Sequence, residues 1–314
     1  MVIVMLNQFN NEIKRYYALN DFYRKKFKQK VLKISLDGNF SCPNLDGVVG
    51  FGGCIYCLNS RQNHIVNKKK KLIDQFNEVK EIMNRKWPKG VYIGYFQANC
   101  NTYAPLDELK EKYNLILKQK NVIGLNIATR CDAITDEVLD YLEKLNKKTF
   151  LTIELGLQTI HPATSILINR CHSLKQFEEM VLKLNKKQIN IVVHIINGLP
   201  YETEEMMLKT IDYLNSLPIN GIKIHMLHVL KNTRLAEIYQ KEHFKILEKN
   251  EYINIVCNQI ERLRADIVVH RLTGDPFIED LIEPKWLIKK FELLNLIDET
   301  LKKRNSYQGI KKMS

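Results

Sequence analysis

The sequence predicts an α/β fold: a partial barrel of six parallel strands, (β/α)6, with helical extensions at its two ends. Three observations predict it. Short apolar, β-branched runs recur along the chain, longer amphipathic runs lie between them, and no Pro/Gly/Ser-rich linker divides the 314 residues. Strands that alternate with helices pair in parallel, because each crossover returns the chain to the same end of the sheet. The expected layout is an N-terminal extension over 1–30, a core domain over 31–245, and a C-terminal extension over 246–314.

The first strand is VLKISL (31–36). Helix 71–86 leads to strand VYIGYF (91–96), helix 105–120 to VIGLNIA (122–128), and helix 135–147 to FLTIEL (150–155). Helix 173–187 then leads to INIVVHII (189–196), and helix 203–216 to GIKIHMLHV (221–229). Each strand run is too short and too β-branched to make a good helix. Thr135 precedes Asp136 and Glu137, and Thr203 precedes Glu204 and Glu205; these are hydroxyl caps followed by acidic first turns. After two more helices comes another strand-like run, DIVVHRL (266–272), and 283–304 reads as a basic helical tail. In such folds the chemistry gathers where strands end.

The composition is globular, 45% hydrophobic and 26% charged, and no run is long enough to span a membrane. Met1–Leu6 is apolar but stops at Asn7, too short for a secretory core, so a cytoplasmic protein is expected. The net charge of +13 favours a polyanionic partner, although lysines also simply solvate a surface. The run Lys68–Lys71 reads as such a solvated helix start.

Seven cysteines, an odd number, argue against a disulfide framework. Three of them, Cys42, Cys54 and Cys57, cluster directly after the first strand, with eleven residues between the first two and two between the last two. A Cys-x-x-Cys pair lets two thiolates reach one metal centre without strain. Gly47, Gly50, Gly52 and Gly53 let the loop fold tightly and turn backbone N–H groups toward anionic sulfur. Three thiolates leave one metal position open, as reactivity requires. A zinc knuckle completed by His64 is the competing arrangement. The glycines do not make a dinucleotide fingerprint, since no G-x-G-x-x-G runs into a helix.

With KISLDGNFSCPNLDG, GGCIYC, YFQANCNTYAP, ATRCDAI, ELGLQTIHPATSILINR, HIINGLPYET, KIHMLHVLKNT and HRLTGD in view, the chain resembles radical S-adenosylmethionine enzymes over about residues 15–309. It looks most like the YhcC/YtqA branch, akin to the elongator catalytic subunit and the oxygen-independent coproporphyrinogen oxidases. The resemblance implies a [4Fe–4S] cluster on Cys42, Cys54 and Cys57, S-adenosylmethionine on its open iron, and release of a 5′-deoxyadenosyl radical. It implies an electron donor such as flavodoxin or ferredoxin. Gln97 stands where the superfamily contacts the methionyl amino group, with Asn101 close by. Gln158 and Arg170, twelve residues apart, stand where relatives contact the ribose and the carboxylate. His194 and Asn197 fall near the adenosine, with His225 and His228 continuing the rim. Related enzymes carry Glu at Ala128, Asp at His194, Pro at Cys131 and Gly at Cys171.

Other residues keep two readings each. Cys100, Cys131 and Cys171 are buried small hydrophobes, second-cluster ligands or hydrogen-atom donors; Cys257 reads as core. Arg130 and Asp132 are an ion pair or a substrate contact. Glu154, read as a strand-end carboxylate facing the interior, needs a partner, and a cofactor hydroxyl is one. Arg271, Thr273 and Asp275 form a turn whose polar residues exceed what a turn needs. Tyr92, Tyr95, Phe96 and Tyr103 stack on a base or pack in the core. Charge and resemblance together point to tRNA, with a wobble uridine bearing 5-carboxymethylaminomethyl converted toward 5-aminomethyluridine. The alternatives are a radical enzyme acting on a small molecule and a non-catalytic zinc-binding nucleic-acid module.

Overall fold

The computed structural model describes residues 14–58, 70–276 and 278–311. His64 and the first half of the 68–71 lysine run lie outside the described residues. The elements run α1 (Leu19–Phe27), β1 (Val31–Leu36), α2 (Leu72–Lys86), β2 (Val91–Phe96), α3 (Leu106–Leu117), β3 (Val122–Thr129), α4 (Asp136–Asn146) and β4 (Phe150–Gln158). They continue with α5 (Pro162–Leu167), α6 (Leu174–Lys186), β5 (Asn190–Asn197), α7 (Glu204–Asn215), β6 (Gly221–Met226) and β7 (Val229–Leu230). The chain then forms α8 (Arg234–Glu242), α9 (Lys249–Arg262), β8 (Val268–Arg271), β9 (Leu281–Glu283) and α10 (Lys290–Lys303).

The sheet has seven strands, in the order β1-β2-β3-β4-β5-β6-β8, all parallel. The seventh is the 266–272 run: Val268–Arg271 pairs with β6 and extends the core sheet from the C-terminal segment. The 221–229 run divides, since β6 ends at Met226 and Val229–Leu230 pairs antiparallel with Leu281–Glu283. β4 runs three residues past the expected end, through a register shift between Gly156 and Gln158.

Alternation along the strands separates two environments. Leu32, Ile34, Leu36, Tyr92, Phe96, Leu125, Ile127, Ile153, Ile191, Val193 and Ile224 pack outward with the helices in one apolar core. The intervening residues, Lys33, Tyr95, Asn126, Glu154, His194, Lys223 and His225, face the concave side. The sheet is curled enough that Glu154 of β4 meets Lys33 of β1 at 3.3 Å and also contacts Lys223 of β6. A flat sheet would hold β1 and β4 three strand spacings, about 14 Å, apart.

The helices begin as the caps predict. Thr135 Oγ1 accepts from Val138 N and Thr203 Oγ1 accepts from Met206 N, both at 3.3 Å. Ser173 and Gln176 form a reciprocal capping box at the start of α6. α1 closes the N-terminal mouth of the half-barrel: Tyr23, Phe22 and Phe27 pack with Val31, Val91, Ile93, Ile123 and Phe150 at the strand starts. At the opposite mouth Ile55, Ile168, Leu199, Leu227, Val229 and Leu235 form a second small core. That core seats the cysteine loop over the C-terminal ends of the strands. Among the described residues no helix is long and apolar enough to cross a membrane.

Candidate functional site

The cysteine loop leaves β1 and is tied down by the segment that follows α5. Asn44 Nδ2 donates to Asn169 O at 2.7 Å, and Asn169 Nδ2 donates to Phe51 O at 2.9 Å and Gly53 O at 2.7 Å. Ile55 N donates to Ile168 O at 3.1 Å. Gly50 presses against this seam, where a Cβ would lie 2.4 Å from Asn44 Oδ1 and 2.6 Å from Cys171 Sγ, so a larger residue would have to displace both side chains. Asn44 and Asn169 were not singled out in the sequence. The only signal was their place, in CPN and in INR, beside residues that were.

The three thiols sense one another's charge. The Cys42 thiol, hydrogen-bonded by Cys100 at an Sγ–Sγ distance of 3.3 Å, is lowered to about 7. The Cys54 thiol is lowered to about 6 by hydrogen bonds from Cys57 and Tyr56, with help from Arg130 and Asn44. Cys57, the donor to Cys54, is pushed well above the ordinary thiol range. Two of the three thiols are therefore poised to ionise near neutral pH, as metal ligation demands. Among the described residues, no three His, Cys, Asp or Glu side chains converge on a point that would hold a single metal ion. The chemistry of the donor set fits a wider, multi-iron cluster held by thiolates.

Arg130 and Asp132 form a two-bonded ion pair, Nε–Oδ1 at 2.8 Å and Nη2–Oδ2 at 2.7 Å. The pair sits where Arg130 lends positive charge to the cysteines. Cys131 is buried at the end of β3, Cys171 is exposed beside the loop, and Cys257 is buried in α9.

The residues expected around a cofactor fall into two groups. Gln97 and Gln158 stand at the C-terminal ends of β2 and β4, at the mouth of the half-barrel, whereas His194 lies three residues inside β5, in register with Lys223 on the concave face. Gln158 adopts a left-handed backbone (φ 61°), and its amide folds over Gly156, where a Cβ would lie 2.5 Å from Gln158 Nε2. His194 packs edge-on against His225 with ring centroids 4.0 Å apart, and neither Nε2 has a partner. The second group is engaged with the protein. Arg170 is buried and donates to Leu157 O (2.6 Å), Thr159 O (2.5 Å) and His172 O (3.1 and 3.2 Å). Asn197 exchanges two hydrogen bonds with Gln259 of α9, at 2.8 and 2.9 Å. Asn101 donates to Ala98 O at 3.0 Å and Ala128 O at 2.8 Å, leaving only Oδ1 free.

Glu154 lies within β4, four residues short of its end, rather than at a strand end, and its partners in the structure are protein groups. Its oxygens take Lys33, Lys223 and Asn126 Nδ2, the last at 3.0 Å. Burial alone would push its carboxyl up, but Lys223 and Lys33 hold it well below the carboxylate range. Arg271 pairs with Asp275 at 3.3 Å, and Asp275 also takes Lys290. Thr273 is buried. Burial keeps the rings of His194 (about 3), His228 (about 4), His225 and His270 neutral. Among the tyrosines and Phe96, Tyr92 and Phe96 are core, Tyr95 accepts from Lys223 at 2.8 Å, and Tyr103 lines an open cleft of about 670 Å³ beside the cysteine loop.

Comparison with known proteins accords with this geometry. Residues 50–214 match the family model described as the Radical SAM superfamily, and 219–303 match the Radical_SAM C-terminal domain. YtqA, an uncharacterized protein of Bacillus subtilis (strain 168), is 45% identical over 302 residues, covering 96% of this chain and 94% of YtqA. A tRNA uridine(34) acetyltransferase of Methanocaldococcus infernus is 26% identical over 174 residues, covering 52% of this chain and 32% of that protein. Among solved structures, Methanocaldococcus infernus Elp3 lacking residues 1–46 superposes with a TM-score of 0.67 at 16% identity. That match spans 89% of this chain and 64% of the Elp3 chain, and it speaks for the fold alone.

Proposed function

Since the chain belongs to the radical S-adenosylmethionine superfamily, we propose that Cys42, Cys54 and Cys57 hold a [4Fe–4S] cluster whose open iron takes S-adenosylmethionine. The observation that carries this is the cysteine loop itself, clamped over the C-terminal mouth of a curled parallel sheet, with the Cys42 and Cys54 thiols acidified. When bound, the pair supplies a 5′-deoxyadenosyl radical on one-electron reduction by a carrier such as flavodoxin or ferredoxin.

The protein's own residues orient and exclude. Asn44 and Asn169 fix the loop, and Arg130 offsets the negative charge that gathers there. Gln97 and Gln158 offer free polar groups at the mouth, where methionyl and adenosyl groups need hydrogen bonds. Arg170 and Asn197 serve the same site as braces, Arg170 by holding the turn after β4 and Asn197 by pinning α9 to the end of β5. α1 bars water from the opposite mouth.

The substrate we assign is tRNA, at the 5-carboxymethylaminomethyl side chain of a wobble uridine, converted toward 5-aminomethyluridine. The +13 charge supports a polyanion, and the partial likeness to a tRNA uridine(34) enzyme supports that position. The test is anaerobic incubation of the iron-reconstituted protein with S-adenosylmethionine, a reductant and bulk tRNA, followed by mass spectrometry of the nucleosides. A gain of 5-aminomethyluridine at the expense of its carboxymethylated precursor is expected. An unchanged digest alongside released 5′-deoxyadenosine would overturn the tRNA assignment and leave the radical chemistry standing.

A further inference from the structure

We infer that the floor of the half-barrel is a receptor for a carboxylate-bearing group of the substrate, formed by Lys33 and Lys223 with His194, His225 and Arg271 around them. This rests on the radical chemistry and the tRNA substrate proposed above.

The argument begins with a count of charges. Lys33 and Lys223 share a single carboxylate, that of Glu154, at 3.3 Å for Lys33 and by direct contact for Lys223. The Lys33 and Lys223 side chains are 19% and 5% exposed, so neither ammonium is well served by water. The remaining neighbours add no negative charge: Asn126 donates to Glu154, and Tyr95 is a neutral phenol that accepts from Lys223. Arg271 acts on both lysines from β8, and its own counter-ion Asp275 is shared with Lys290. While both amines hold their protons, one positive charge on the floor lacks a partner.

An uncompensated buried charge is costly, and folds keep one where a ligand completes it. The amines respond as expected of such a site, with burial lowering Lys33 and lowering Lys223 to about 7.

Unused hydrogen-bonding groups surround the same place. His194 Nε2, His225 Nε2 and His270 Nδ1 are shielded from solvent and have no partner. Each neutral ring offers either a donor or an acceptor. Among the described residues α1, through Tyr23, Phe22 and Phe27, covers the strand starts, so the approach to the floor is from the side of the cysteine loop. A single missing charge favours a monoanion, a carboxylate, over a phosphate.

The test uses the full chain, iron-reconstituted and with S-adenosylmethionine present. Ligand-observed NMR titrations compare N-ethylglycine with N-ethylglycinamide, which differ only in the carboxylate. The wild-type protein is expected to prefer N-ethylglycine by at least tenfold. Lys33→Met, which leaves Lys223 and Glu154 matched one to one, is expected to reduce the preference below threefold. Lys33→Arg is expected to keep it. Equal affinities in the wild type, or an undiminished preference in Lys33→Met, would overturn the receptor. So would displacement of S-adenosylmethionine by N-ethylglycine, which would mean that the probe reads the cofactor's carboxylate site. The two readings separate cleanly. A carboxylate preference with unchanged tRNA removes the tRNA assignment alone, whereas modified tRNA without the preference removes the receptor alone.

Discussion

Asn44 Nδ2 donates to the main-chain carbonyl of Asn169 at 2.7 Å while lying 3.8 Å from Cys54 Sγ. One amide thus links a cysteine to the segment that clamps its loop. Asn44→Ala is expected to remove the link and leave Asn169 O without its donor, at a cost of about 1–3 kcal/mol. Loss of a group that orients a metal ligand typically weakens metal binding about 10–100-fold. Iron retained per chain after dialysis against a chelator checks this, and wild-type retention would refute it.

Glu154→Gln is expected to be the most damaging change on the concave face. It leaves two buried ammonium groups with no carboxylate, and breaking a buried pair costs about 3–5 kcal/mol. The double variant Glu154→Gln/Lys33→Met should recover part of that loss, because one of the stranded charges is gone. Denaturant midpoints of the four members of the cycle measure the coupling.

Lys33 and Lys223 titrate as a unit around one carboxylate, and the first proton to leave the unit does so near pH 7, the value to which burial lowers Lys223. The unfolded lysine keeps its proton to about pH 10.4. Between these limits the unfolded chain binds more protons than the folded one, so this group makes stability rise with pH. The stability difference between wild type and Lys223→Met should therefore shift in favour of the wild type from pH 7 to pH 10. A constant difference across that window would show that the amines stay protonated.

Arg170→Lys should lower thermal stability even in cluster-free protein. The guanidinium satisfies the carbonyls of Leu157, Thr159 and His172 together, and a lysine ammonium cannot span all three. Each buried carbonyl left bare costs about 1–3 kcal/mol. A variant as stable as the wild type but weaker in S-adenosylmethionine binding would instead make Arg170 a direct cofactor contact.

Much of this architecture was legible in the chain. The strands announced themselves because each is a short apolar run, too β-branched to make a good helix, set between longer amphipathic runs. The two threonine caps were local and visible. The cysteine spacing was also local, and it named the loop that the structure clamps over the sheet. What escaped depended on curvature and on distant partners. Nothing in FLTIEL shows that Glu154 will meet lysines from β1 and β6, since only the curl of the sheet brings those strands together. The same holds for Asn197, whose partner Gln259 sits sixty-two residues away, and for the bulge that carries β4 on to Gln158. DIVVHRL read as a strand, but its place beside β6 could not be read, because two helices intervene.

The clamp on the cysteine loop also sets an order of events during synthesis. Asn44 reaches a partner 125 residues further along the chain, and the bonds from Asn169 to Phe51 and Gly53 span 118 and 116 residues. All three cysteines therefore leave the ribosome well before the residues that fix their loop exist. Until four strands have paired and α5 has followed, the thiols hang from an unanchored segment, open to stray metals and oxidants. Iron delivered before that point would meet a loose chelator, and iron delivered after it a shaped one.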